Sequence, residues 1–153
     1  MEAFQPAAGS VVTFGYDDLG SVRGVSIDVR ELKDSRGADV RGLLVKVTEN
    51  EYHKESAFVD ADEIPELLKG FDALLAVNAN PTQFKSFEVR YTTRGGLQLT
   101  AFNGFRDGIA YAVQAGRITK AQALPLSADD MRKVRALFES AQQKLASLGP
   151  SRR

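Results

Sequence analysis

The spacing of apolar residues switches from a period of two to a helical period twice along this chain, and that switch limits the fold more than any motif does. From Val12 onward, apolar side chains recur at every second position. Val12, Phe14 and Tyr16 share one face of a first run; Val25, Ile27 and Val29 line the next, within SVRGVSIDVREL; Leu43, Val45 and Val47 line a third. A period of two is that of half-buried strands. HKESAFV continues the pattern weakly, and its charges suit an edge strand. In DEIPELLKGFDALLAV the period becomes helical, with Ile64, Leu67, Leu68, Phe71, Leu74 and Leu75 on one stripe. Asp62 is the expected N-cap, with Pro65 at the third helical position, where its missing N–H costs nothing.

The order then starts again. SFEVRYTT sets Phe87, Val89 and Tyr91 against Glu88, Arg90 and Thr92; LQLTAF sets Leu97, Leu99 and Ala101 inward; GIAYAVQ does the same with Ile109, Tyr111 and Val113; RITKAQALPL is a looser strand. A second helix is expected over about 128–148, with Ser127 and Asp130 as a capping box and a stripe of Met131, Val134, Phe138, Ala141, Leu145 and Leu148. Gly149-Pro150 ends it. The fold class is therefore α+β, with antiparallel sheets in a duplicated ββββα-ββββα order and the helices on one side. Residues 1–153 read as one domain holding two pseudo-repeats, at about 10–80 and 84–149. At a constant offset of 67 residues, Asp62 falls on Asp129, Ile64 on Met131, Leu67 on Val134 and Phe71 on Phe138.

Composition narrows the chemistry. The chain has 153 residues, 43% hydrophobic and 26% charged, and no cysteine, so disulfides, thiol catalysis and cysteine-based metal sites are excluded. Absence of cysteine suits either side of a membrane. No apolar run approaches the ~20 residues of a membrane span, and MEAFQPAAGS lacks the pattern of a signal peptide. Lys plus Arg and Asp plus Glu number 20 each, so the basic excess usual in phosphate-binding proteins is missing from the total. His53, the one histidine, has neither converging ligands nor a nucleophile beside it in sequence. The acidic pairs in DADE and SADD stand at helix starts, where free N–H groups and the helix dipole account for them. No catalytic residue, metal site or cofactor is expected.

The stretch YTTRGGLQLTAFNGFRDG carries the remaining signal. A strand follows Arg94-Gly95-Gly96, so the loop reads as a hairpin turn and not as a phosphate loop, which a helix would follow. Gly95 is expected to take a positive φ or close a tight turn between Thr93 and Leu97. Arg90, Tyr91, Arg94, Phe105 and Arg106 are the candidate binding residues: exposed aromatics beside arginines suit a protein partner or a stacked base. Arg90 and Thr92, with Gln98 and Thr100, mark a polar sheet face.

The element order resembles that of the Whirly-type single-stranded DNA-binding fold and, more loosely, the PUR-repeat proteins. The resemblance covers most of the chain as order alone; the basic lysine-glycine strand expected of Whirly proteins is absent. It implies single-stranded nucleic-acid binding across a sheet face. The leading expectation is a non-enzymatic interaction module whose partner is another protein chain or itself, joined through sheet edges or the long helix. Single-stranded nucleic-acid binding by the Arg/Thr/Gln face is the second, an enzyme without recognisable motif the third, and no membrane partner is expected.

Overall fold

The alternating runs form antiparallel meanders. The computed structural model describes residues 8–48, 52–78, 80–105, 108–116 and 125–149. β1 (Val12–Val22), β2 (Val25–Asp34), β3 (Asp39–Thr48) and β4 (Lys54–Asp60) make a four-stranded sheet in chain order. A single 3-10 turn, Ala61–Glu63, leads into α1 (Ile64–Leu75). β5 (Glu88–Thr92), β6 (Gln98–Phe105) and β7 (Gly108–Gln114) make a three-stranded sheet, again in chain order, and α2 (Ala128–Ser147) follows. The chain is thus α+β with two antiparallel sheets. The strand expected over 117–126 lies outside the described residues except at its end, where Leu126 bridges Tyr111 antiparallel.

Among the boundaries that differ from the sequence reading, three bear on turns and helix ends. Ser21 and Val22 belong to β1, which turns at Arg23 and Gly24, both at positive φ (49° and 85°), before β2 begins. Such a two-residue turn matches the strand twist. Glu63, not Asp62, occupies the N-cap of α1, and no side chain caps it. Pro65 is therefore the second helical residue, still within the turn that lacks intrahelical acceptors. Leu148 lies past the end of α2 and is exposed, because Leu145 already completes the stripe.

The core is one cluster drawn from both halves. Val25, Ile27, Val29, Leu43, Val45, Val47, Ala57 and Val59 from the first sheet meet Leu97, Leu99, Ala101, Tyr111 and Val113 from the second, with the helix stripes among them. The helices meet at Phe71 and Phe138, whose ring centroids are 5.4 Å apart at 47°. Beside this pair, Arg135 donates from Nη2 to Asp72 Oδ2 at 3.0 Å, forms an ion pair with the same carboxylate and reaches Glu139 on its own helix. Gly70 is a close approach: a side chain there would meet the Tyr91 ring at 2.8 Å, so α1 seats on β5 only where a residue without Cβ faces the tyrosine. No helix among the described residues is long and apolar enough to cross a membrane.

The capping box at α2 forms as its sequence requires. Asp130 N–H donates to Ser127 Oγ, and Ser127 N–H donates to the Asp130 carboxylate, both at 3.1 Å. The Ser127 backbone bond holds the Asp130 carboxyl below its usual value, outweighing the opposing effect of burial. A depressed folded value means the unfolded chain binds this proton more tightly. The cap's contribution is therefore complete above about pH 4, the unfolded value, and is lost as pH falls through the folded one. Denaturant midpoints across the acid range should fall less steeply for Asp130→Asn than for the parent, since the substituted group no longer titrates. Parallel acid limbs would remove this carboxylate from the explanation.

Candidate functional site

Within each strand, alternation decides what the sheets show to solvent. Ile27 and Val29 face the helices, so Asp28, Arg30 and Leu32 lie on the opposite face of β2. Register then places Phe14 beside Leu32, Tyr16 beside Arg30, and Asp18 beside Asp28. Leu44 and Phe58 continue the row from Asp28, and Val40 that from Leu32. The outer face of the first sheet therefore carries an apolar strip that the helices leave uncovered. Phe14 is 61% exposed and Tyr16 74%. Val12, Phe14 and Tyr16 do share a face, as the period demands, but it is the face turned from the core. Monomers seldom expose adjacent large apolar side chains without a partner.

Charges on this strip are paired locally. Asp28, almost fully buried, accepts from Lys46 at 2.9 Å and Arg30 at 3.4 Å. The Arg30 guanidinium also stands 5.8 Å from the centre of the Tyr16 ring, within cation–π range. One buried carboxylate thus serves both neighbouring cations.

Among the described residues β1 is also an open edge. Ser35 N–H donates to the Val11 carbonyl at 2.9 Å, so position 11 faces β2. In an antiparallel pair such residues alternate, which makes positions 13, 15 and 17 bond β2 as well. Val12, Phe14, Tyr16 and Asp18 accordingly turn their N–H and C=O groups outward, where no strand among the described residues pairs with them. The regular ladder with β2 runs from Val12 to Asp18 and then shifts before Ser21, where Asp18 Oδ1 accepts from Gly20 N–H at 2.9 Å.

The residues singled out from sequence do not come together as one grip. Arg90 is exposed on the outer face of β5 and donates to Glu88 at 2.7 Å. Tyr91 points the other way, onto α1; burial, with Glu63 and Glu66 adding, raises its phenol pKa. Arg94 joins the β5–β6 turn to the start of α1: its Nη2 donates to Asp62 at 2.7 Å, its Nε to Glu63 at 3.4 Å, and its backbone N–H to Glu63 at 2.8 Å. The Asp62 bond, ahead of Glu63, holds the guanidinium more firmly protonated. Arg106 and the Phe105 side chain lie outside the described residues. On the Arg/Thr/Gln face, Thr100 is fully buried and donates to Gln114 at 3.0 Å.

The turn itself assigns its two glycines different tasks. Gly96, not Gly95, takes the positive φ (88°), and its N–H donates to the Thr93 carbonyl at 3.1 Å. Gly95 lies against the Phe58 carbonyl of β4. Alternation alone does not mark the strip on β1, because a period of two does not say which face the helices cover. Its signal was available: Phe14 and Tyr16 stand on the first strand of a meander, which has a neighbour on one side only.

For acid–base or metal chemistry the described residues offer little convergence. No group of three or more His, Asp or Glu among them could hold a metal ion. One open cavity, about 570 Å³, is lined by residues that include Lys33, Asp34, Asp39, Arg41 and Leu148. Arg41 there is committed to Glu31 at 2.6 Å and to the carbonyl of Gly149. Comparison with protein-family models, with curated proteins and with solved structures finds no match to this chain.

Proposed function

We propose that the protein is a non-enzymatic interaction module that associates with itself through the first sheet. One observation carries this reading: β1, eleven residues long, has no strand paired to its outer edge among the described residues and bears Phe14 and Tyr16 in water. Soluble proteins blunt such edges with charged residues, proline, bulges or a covering element. Between Val12 and Tyr16 there is no charge and no proline, and the irregularity comes only after Asp18. A contact that removes both the unpaired backbone groups and the two aromatic rings from water answers both costs.

Single-stranded nucleic-acid binding has less in its favour. It requires cations free to meet phosphates, and the Arg90, Arg94, Arg30 and Lys46 side chains each lie beside a carboxylate. The resemblance in element order to Whirly and PUR proteins is what supports it.

The duplicated architecture belongs to the same proposal. Phe71 and Phe138 coincide at the offset of 67 residues and touch each other. Arg135 is shared by Asp72 and Glu139, which coincide at that offset too. Equivalent residues meet where a twofold axis passes, as they do in isologous dimers. Two fused repeats facing each other across α1 and α2 account for both contacts.

Sedimentation over a concentration series tests the function. The parent should show a species of twice the monomer mass, and Phe14→Lys with Tyr16→Lys should shift the dissociation constant upward at least about tenfold, the size expected when a charge is put on a pairing edge. A parent that stays monomeric, while binding a labelled single-stranded oligonucleotide in a salt-dependent way, would replace this reading with the second.

A further inference from the structure

Resting on that reading, we infer the mode of association: β1 pairs antiparallel with β1 of a second copy, about a twofold axis at Gly15, joining two four-stranded sheets into one of eight strands. The backbone sets the first condition. Outward-facing groups sit on positions 12, 14, 16 and 18, so a partner strand must match even positions with even ones for donors to meet acceptors. A second copy presents the same groups in reversed order and meets this condition without adjustment.

The length of the regular ladder fixes the register. It runs from Val12 to Asp18 before the irregularity, and its midpoint is Gly15. Only an axis there pairs every residue of the stretch: Phe14 opposite Tyr16, Val12 opposite Asp18, and Thr13 opposite Asp17 of the other copy. On the outer face each Phe14–Tyr16 pair extends a row that already holds Leu32 and Arg30, and cross-strand aromatic pairs are among the stabilising ones. On the inner face Lys33, 3.4 Å from Glu31, stands beside Thr13, in the row that Asp17 of the second copy joins; Lys144 of its own chain already holds that carboxylate at 3.5 Å, so no unpaired acid is brought to the seam. An axis at Tyr16 would set Phe14 against Asp18; one at Asp17 would set like charges opposite each other. An axis at Phe14 would leave Asp17 and Asp18 beyond the partner's regular strand.

Balanced charge argues for this occupant too. Asp28 and its cross-strand neighbour Asp18 match Arg30 and Lys46 in number on the strip, so the face neither attracts nor repels a copy of itself strongly. Gly15 meets Gly15 at the axis in a non-hydrogen-bonded pair, the closer of the two pair types.

The chain has no cysteine, so one introduced thiol reports on its own position. Gly15 tolerates the change: a Cβ there would have only the Glu31 Cβ nearby, at 4.0 Å, and its φ is not in the left-handed region. Under mild oxidation Gly15→Cys should convert to a covalent dimer. Thr13→Cys and Phe14→Cys, each alone, should do so at least about tenfold more slowly, since their own copies lie beyond disulfide reach. A mixture of Thr13→Cys and Asp17→Cys chains should cross-link as a heterodimer, which keeps the test independent of the axial substitution. Circular dichroism confirms that each variant is folded. If the parent is dimeric by mass but Phe14→Cys cross-links fastest, or none of these variants does, this register is wrong and self-association stands. If the parent is monomeric at every concentration and Gly15→Cys stays uncoupled, both readings fall.

Discussion

Phe138→Ala is expected to lower the unfolding free energy by about 3–5 kcal/mol, the range found when a large aromatic is removed from a core that cannot close the gap. Phe138 is fully buried, and its principal aromatic neighbour is Phe71, itself fully buried. Truncation leaves a void between two helices whose backbones are fixed on either side by sheets. A typical domain has only about 5–15 kcal/mol in total, so this loss should leave the variant near the edge of folding. Chemical denaturation at one protein concentration measures it. The double variant with Phe71→Ala should cost less than the two single losses added, by about 0.5–3 kcal/mol, because the second truncation removes a partner already gone. Phe14→Ala is the contrast: a ring largely in water should change monomer stability by no more than about 0.5 kcal/mol. A loss under about 1 kcal/mol for Phe138→Ala would mean that the helix pair does not join the two halves.

Helix stripes were legible from the sequence because their period is long and their payload large. Leu67, Phe71, Leu74, Val134, Phe138 and Leu145 are all buried. Strand interiors were legible for the same reason, with Leu97, Leu99 and Ala101 fully enclosed. What escaped depends on contacts between segments far apart in the chain. Asp62 has the composition of an N-cap, yet its carboxylate meets Arg94, thirty-two residues on. Arg94 looked like a surface group for a ligand because nothing near it in sequence is acidic, whereas the α1 start brings Asp62 and Glu63 to it. The candidate surface was half legible. The period of Val12, Phe14 and Tyr16 was plain, but a period does not say which face a helix will cover. That is decided by α1 and α2, both of which lie later in the chain.

The β5–β6 turn separates two roles that a Gly-Gly pair conceals. Gly95→Ala should destabilise by about 2–3 kcal/mol, as overpacking against an immovable neighbour does. Its new methyl would press into the Phe58 carbonyl oxygen, well inside van der Waals contact. That oxygen belongs to the backbone of β4, whose residue pairs with Leu44 in the sheet, so it cannot swing aside as a side-chain tip could. The turn on the other flank is held by three bonds from Arg94 to Asp62 and Glu63, so it cannot retreat without giving them up. Gly96→Ala acts by a different route. The space beside Gly96 is open, and only its φ of 88° opposes a side chain, a cost of roughly 1–2 kcal/mol. Gly96→Asn should recover much of that, since asparagine tolerates the left-handed region, while Gly95→Asn should be at least as harmful as Gly95→Ala. Thermal or denaturant unfolding of the four variants gives the comparison. A neutral Gly95→Ala would show that the turn does not press on β4, and would detach the second sheet from the edge of the first.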